Sequence, residues 1–184
     1  MTKIDKAIEF AAKAHRNQFR KGTQLPYISH PFSVAMMLTK MGCDEDIVIA
    51  GILHDVVEDT DYTLDDIEKK FGKRVAQIVN GCSEPDKNAS WEARKKHTIE
   101  YLKNAPYEIK VVSCADKLHN IRTIRRGFNK VGFSFWDRFH RGFDSQKWYY
   151  LSLVKSLHEG LDSSKNHDIF HQFRQEVELI FESE

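Results

Sequence analysis

Only three of the 184 residues are cysteines, Cys43, Cys82 and Cys114, and no C-x-x-C spacing relates them. That composition excludes a disulfide-stapled scaffold and fits free thiols in a reducing compartment. No apolar run approaches the ~18 residues a bilayer span needs. The opening stretch, Met1 to Lys6, lacks the apolar core of a secretion signal. The expectation is a cytoplasmic protein with no membrane partner. Neither sign of charge dominates: Lys and Arg total 28, Asp and Glu 27, so net charge gives no reason to expect nucleic acid. There is no repeat, no low-complexity segment and no strand-like alternation strong enough for a sheet.

What is present is helical patterning almost throughout. The length suits one domain with a core that needs no staples. Thr2 can cap a first helix that carries Ile4, Ile8 and Ala11 on one face. Residues 17–28 read as a loop. Pro31 fits the first position of a second helix to Met41, with His30 at its N-cap. Asp44 opens a third helix, expected to run without a break to the pair His54-Asp55. Thr63 to Asp66 resembles a capping box before a short helix that stops at Gly72. A further turn or two over Val75 to Val79 is expected to end at Gly81. Ser90 can cap a helix through Leu102, and Pro106 starts a long apolar helix through Ile124. Residues 127–142 read as irregular, and two helices close the chain, near 145–161 and 168–181.

Charge is unevenly distributed. Ten acidic residues between Asp44 and Glu68 precede a basic stretch from Arg122 to Lys147. Such asymmetry fits a site that binds both a cation and an anionic ligand. Within the acidic stretch, His54, Asp55, Glu58 and Asp59 sit in and just after the apolar run Ile47 to Val57. A buried carboxylate there needs compensation. Asp116 repeats the anomaly inside the apolar helix, with Asn120 and Thr123 continuing a polar ladder along it. His30, His54, Asp55 and Asp116 come from three separate helices, and a core that joined those helices would converge two imidazoles and two carboxylates on one ion. With no thiolate in that set, a Cys-rich structural zinc site is disfavoured; Mn, Fe or Zn with water completing the shell fits. Glu58 and Asp59, just outside the set, could orient or deprotonate a water.

These residues resemble the HD-domain phosphohydrolase superfamily, named for the His-Asp pair. The runs Ala14-His15 to Gly22, Pro26-Tyr27-Ile28-x-His30-Pro31, Leu53 to Thr60, Phe71-Gly72 and Ala115-Asp116-Lys117-Leu118-His119-Asn120-x-Arg122-Thr123 look like the hydrolase domain of RelA/SpoT-type proteins. The segment Trp136 to Leu157 is similar to that of the small, single-domain alarmone hydrolases. The resemblance implies an all-α, compact HD-domain bundle of about eight to ten helices. Residues 1–184 would form a single domain, with the motifs in 7–125 and residues 126–184 packed against them. It implies a hydrolase with no synthetase domain, removing the 3′-pyrophosphate from ppGpp and pppGpp to give GDP or GTP plus pyrophosphate, with one Mn²⁺ per chain.

By the same resemblance His30, His54, Asp55 and Asp116 are the metal ligands and Glu58 and Asp59 act on the attacking water. Arg20 and Lys21 lie against the base, Asn120 and Thr123 contact the nucleotide, and Arg94, Lys95 and Arg141 are candidates for the phosphates, with Lys87, Arg122 and Arg125 further ones. His15 and His119 are expected to brace the site, and Trp136, Trp148, Tyr149 and Tyr150 to belong to the core. The run Cys82-Ser83-Glu84-Pro85 departs from the family's pattern. It leaves open the same metal centre acting on another nucleotide, (p)ppApp or the phosphate of NADPH. A non-catalytic nucleotide sensor is the reading from a different class. Homo-oligomerisation is left open.

Overall fold

The structure, a computed structural model, describes residues 1–84, 88–162 and 164–182. Among them are ten α-helices: α1 (Lys3–Ala14), α2 (Ser29–Lys40), α3 (Glu45–Leu53), α4 (Val56–Asp59), α5 (Leu64–Phe71), α6 (Lys73–Cys82), α7 (Trp91–Asn104), α8 (Tyr107–Val131), α9 (Gly142–His158) and α10 (Asp168–Phe181). A 3-10 helix, Gly132–Arg138, joins α8 to α9. Extended pairing among the described residues is limited to one isolated bridge, Phe19 to Pro26. The fold is all-α, as the patterning predicts.

Local chemistry sets several of the boundaries. Thr2 and Asp5 close a capping box on α1, and Thr63 and Asp66 close another on α5. Asp44 accepts from the amides of Asp46 and Ile47 to start α3, and Ser90 accepts from Ala93 to start α7. Gly72 ends α5 with φ +90°, a conformation only glycine takes without strain.

Helix α3 is the centre of the molecule. Every residue from Ile47 to Leu53 is buried, and α1, α2, α6 and α8 all pack against it. A helix apolar on all sides belongs in a core. Gly51 lets α2 approach: a Cβ there would lie 2.4 Å from Leu38 Cδ1 and 3.4 Å from Val34 Cγ1. Helix α8 packs against α2, α3, α6 and α10. The three helices that carry the expected ligands therefore share one core.

Lys110 of α8 is buried, an unusual place for a lysine. Its ammonium donates to the carbonyls of Lys103 at 2.9 Å and Glu159. Those carbonyls lie at the C-terminal ends of α7 and α9, where backbone acceptors lack helical partners.

Four boundaries differ from the sequence expectation. His30 is the second residue of α2 rather than its cap, because a turn closed by His30 N–H on the Tyr27 carbonyl, 2.9 Å, starts the helix earlier. Helix α3 does not run through His54-Asp55; a turn separates it from α4. Helix α6 passes through Gly81, and α8 passes through Gly127 to Val131. Both glycines make room rather than stop a helix: a Cβ at Gly81 would lie 2.3 Å from Ile109 Cδ1, and one at Gly127 2.1 Å from the Phe135 ring.

Candidate metal centre

The turn at His54-Asp55 aims both side chains inward. His54 Nδ1 lies 2.8 Å from the Gly51 carbonyl, an acceptor that only a protonated Nδ1 satisfies. Its Nε2 is buried and makes no hydrogen bond, although Asp55 Oδ2 lies 3.0 Å away and Asp116 Oδ1 3.8 Å away. His30 Nε2 lies 3.1 Å from Asp116 Oδ1 and 3.5 Å from Asp55 Oδ2. Ligand atoms of His30, His54 and Asp116 all fall within 4.8 Å of one another.

The electrostatics demand positive charge at this point. Burial disfavours a charged His54, but Asp55 and Asp116 outweigh it and push its pKa up to about 9. Burial would likewise raise both carboxyls. Asp55 is nevertheless held well below the usual range by His54, and Asp116 by Lys117 and His30. A proton can answer one imidazole. A divalent cation answers both imidazole lone pairs and both carboxylates together, so the donor set fits a metal.

Neighbours fix these donors. His119 Nδ1 lies 2.6 Å from His30 Nδ1. Burial, then the charges of His30 and Arg20, pushes His119 down to about 4, so it is neutral at pH 7. A cation on His30 Nε2 would require the ring proton on Nδ1, where His119 Nδ1 is the acceptor within reach. The Tyr27 hydroxyl donates to Asp55 Oδ2 at 2.6 Å, and Lys117 Nζ pairs with Asp116 Oδ2 at 2.8 Å. Asn120 Nδ2 donates to Asp116 Oδ1 at 2.6 Å, and Arg20 donates to Asn120 Oδ1 at 2.8 Å. His15 binds Gln18 at 2.7 Å, and Gln18 donates to the Asp59 carbonyl at 2.7 Å, which braces α4. Sequence reasoning gave no role to Tyr27 or Lys117. The signal was adjacency: each lies within the same short motif as a ligand.

His30, Asp55 and Asp116 floor a cavity of about 490 Å³, whose walls include Glu58, Asp59, Glu84, Lys95 and Lys117. Burial raises the pKa of Glu58, whose Oε2 accepts from the Glu84 amide at 3.2 Å. A second cavity of about 810 Å³, more apolar, shares Tyr27 and Asn120 with the first. Arg20, Lys21, Thr123, Phe139 and Tyr150 line it, and the Arg20 guanidinium lies 5.5 Å from the Tyr27 ring centre. Through Tyr27 and Asn120 the two cavities form one cleft, with a more polar end at the donor cluster and a more apolar end beyond it.

The remaining candidates fall in different places. Lys95 faces the first cavity, and Arg94 pairs with Glu84 at its edge, 2.5 Å. Arg141 lines neither cavity; its guanidinium pairs with Glu92 at 3.1 Å. Arg122 and Arg125 both pair with Glu176 of α10. Lys87 lies outside the described residues. Trp136 and Tyr149 are buried in the core, Tyr150 is buried at the wall of the second cavity, and Trp148 is partly exposed.

Comparison with known proteins adds to this geometry. The HD-domain family model matches residues 7–138. Guanosine-3′,5′-bis(diphosphate) 3′-pyrophosphohydrolase MESH1 of Homo sapiens is 37% identical over 172 residues, covering 92% of this chain and 92% of its own length. The protein of the same name from Danio rerio is 40% identical over 122 residues, 65% of this chain and 67% of its own. GTP pyrophosphokinase of Streptomyces coelicolor is 38% identical over 128 residues, but the match spans only 15% of that longer relative. Among solved structures, a metazoan ortholog of SpoT that hydrolyzes ppGpp superposes with TM-score 0.81 at 27% identity, over 98% of this chain and 96% of that one. The protein lmo0812 from Listeria monocytogenes superposes with TM-score 0.78 at 40% identity, over 86% and 97%.

Proposed function

The chain belongs to the HD-domain family, and from that premise we propose that it hydrolyses guanosine 3′,5′-bis(diphosphate) and its 5′-triphosphate form to GDP or GTP plus pyrophosphate. One observation carries the reading. Ring nitrogens and carboxylate oxygens of His30, His54, Asp55 and Asp116 converge at the base of the cleft, beside a more apolar cavity of about 810 Å³. The pyrophosphohydrolases named above are similar over most of the chain.

The donor set suits one Mn²⁺ per chain held by His30, His54, Asp55 and Asp116, and such a cation supplies Lewis acidity and offsets phosphate charge. The protein's own groups do the rest. Arg20 and Lys21 lie along the apolar pocket, where a guanidinium can stack on a purine. Asn120 lines both cavities, between base and phosphates, and Thr123 lines the apolar one. Lys95, with Arg94 behind it, faces the 3′-pyrophosphate and balances the charge that develops on it. Glu58, made more basic by burial, takes the proton of the attacking water, and Asp59 beside it orients that water. Water oxygen joins the phosphorus next to the ribose, the bond from that phosphorus to the 3′-oxygen breaks, and the 3′-oxygen takes up a proton from solvent, balancing the one Glu58 removed, and leaves as a hydroxyl. Arg141 remains a candidate only for a part of the ligand that extends beyond both cavities.

Residues 1–184 are read as one hydrolase unit, since α10 packs on α8 and α9 packs on α7 and α10. No helix among the described residues is long and apolar enough to cross a membrane. The three free thiols support a cytoplasmic site of action.

The test is direct. Purified protein with Mn²⁺ is incubated with ppGpp, pppGpp, ppApp or NADPH, and products are separated, with metal content measured on the same sample. Pyrophosphate released from ppGpp at one Mn²⁺ per chain is expected. Orthophosphate from NADPH with no pyrophosphate from ppGpp would transfer the same centre to the other substrate.

A further inference from the structure

The phosphate end of the cleft already holds an anion, and it comes from the protein. Glu84 follows α6 and lines the first cavity. Its two carboxylate oxygens are divided between two cations: Oε2 accepts from Arg94 NH1 at 2.5 Å, and Oε1 accepts from Lys95 Nζ. The carboxylate is only 10% exposed, and Lys95 and Arg94 are 17% and 27% exposed. Burial by itself would raise its pKa, yet Lys95 and Arg94 hold it below the usual glutamate range. The other lysine in the cavity, Lys117, is committed to Asp116. Arg94 and Lys95 are therefore the charges on this wall that no metal-binding carboxylate claims, and Glu84 bridges them as two oxygens of a phosphate would.

We propose that Glu84 is a displaceable stand-in for the pyrophosphate group: it holds the Arg94–Lys95 pair in the unliganded protein and yields it to the more highly charged phosphate chain of the substrate. A pyrophosphate carries more negative charge than one carboxylate, so it wins the two cations. A ligand with little charge at that end does not. Glu84 thus raises the charge a ligand must bring, which selects for a pyrophosphate against a neutral or weakly anionic group. The backbone can stay in place during the exchange, because the Glu84 amide is fixed on Glu58 Oε2. The side chain alone moves. The inference rests on the hydrolase reading for the identity of the anion, and on the Glu84 contacts alone for the exchange.

The variant to make is Glu84→Gln, which keeps the shape and the amide contact but removes the charge. Binding of inorganic pyrophosphate to the Mn²⁺-loaded protein is followed by calorimetry, and KM for ppGpp is measured beside it. Pyrophosphate is expected to bind about tenfold more tightly than to the unaltered protein, the scale of two partly exposed ion pairs no longer in competition. KM is expected to fall in the same direction. Glu84→Ala should move binding the same way, which guards against an effect peculiar to the glutamine amide. Unchanged or weaker pyrophosphate binding in both variants would overturn the proposal, since a residue that merely organised the two cations would weaken binding when neutralised. Failure of the hydrolase reading looks different: the unaltered protein would release no pyrophosphate from ppGpp, whatever the Glu84 variants bind.

Discussion

His30 and His119 face each other through their Nδ1 atoms at 2.6 Å, from the first turn of α2 to the middle of α8. One proton serves the pair. Burial lowers the basicity of both rings, and a cation on His30 Nε2 would fix His30 as the donor and His119 as the acceptor. His119 is thus the partner that can hold His30 in the tautomer a cation needs, though it does not itself enter the donor cluster. Replacing such an orienting partner typically costs metal affinity about 10- to 100-fold. We predict a loss on that scale for His119→Ala, measured by competition with a chelating dye, with helix content unchanged by circular dichroism. Unaltered Mn²⁺ affinity would mean that His30 needs no partner to present Nε2.

Tyr27 makes the corresponding contact on the other side. Its hydroxyl gives Asp55 Oδ2 a hydrogen bond at 2.6 Å, and burial with the nearby Asp55 charge keeps the phenol protonated far above neutrality. Tyr27→Phe removes the donor and keeps the ring that Arg20 overlies. Asp55 then loses one of the contacts that stabilise its ionised form. The expected result is weaker Mn²⁺ binding, by about tenfold, with KM rising less than after Arg20→Ala. A Tyr27→Phe protein with normal metal affinity and raised KM would place the hydroxyl on the nucleotide instead.

Glu58 and Asp55 can be separated by experiment. Asp55→Ala is expected to lose both bound metal and turnover. Glu58→Gln should keep its metal and slow turnover by about 10²- to 10⁴-fold, the usual scale for a positioned base. The pH profile gives a second reading. Burial raises the Glu58 pKa, so the base becomes protonated as pH falls, and kcat should decline on the acid side at a pH above the ordinary glutamate value. With metal content verified at each pH, that acid limb should vanish in Glu58→Gln. An unchanged limb would assign it to another group.

Much of this site was legible in the sequence because buried charge is rare and therefore informative. His54, Asp55 and Asp116 stood out against apolar neighbours, and capping chemistry at Thr2, Asp44, Thr63 and Ser90 marked helix starts correctly. The errors share a cause. In the sequence Gly81 and Gly127 look like local punctuation, yet both answer to a side chain distant in sequence or across a turn, Ile109 and Phe135. The break at His54-Asp55 was hidden because an apolar run carries no mark of where a side chain will turn inward. Arg122 and Arg125 could not be told from phosphate ligands until α10 brought Glu176 against them. Glu84 was noticed only as a departure from pattern; its pairing with Arg94 and Lys95 depends on how α7 lies beside the end of α6.

Gly51 ties the core to the site. Its carbonyl accepts from the His54 ring, and its missing side chain lets α2, which carries His30, lie against α3. In Gly51→Ala the new Cβ would sit 2.4 Å from Leu38 Cδ1, and Leu38 is fully buried. Relief requires either a strained Leu38 rotamer or a shift of α2 away from α3. Such overpacking costs about 1–3 kcal/mol, to be read as a lower urea midpoint. A shift of α2 also moves His30 away from His54, so Mn²⁺ affinity should fall with stability, although Gly51 contributes no ligand. Shortening the obstacle should restore both: Leu38→Val together with Gly51→Ala is expected to be more stable than the sum of the two single changes allows, and to recover metal affinity. Additive losses in that cycle would mean that the spacing between His30 and His54 is set elsewhere than at this contact.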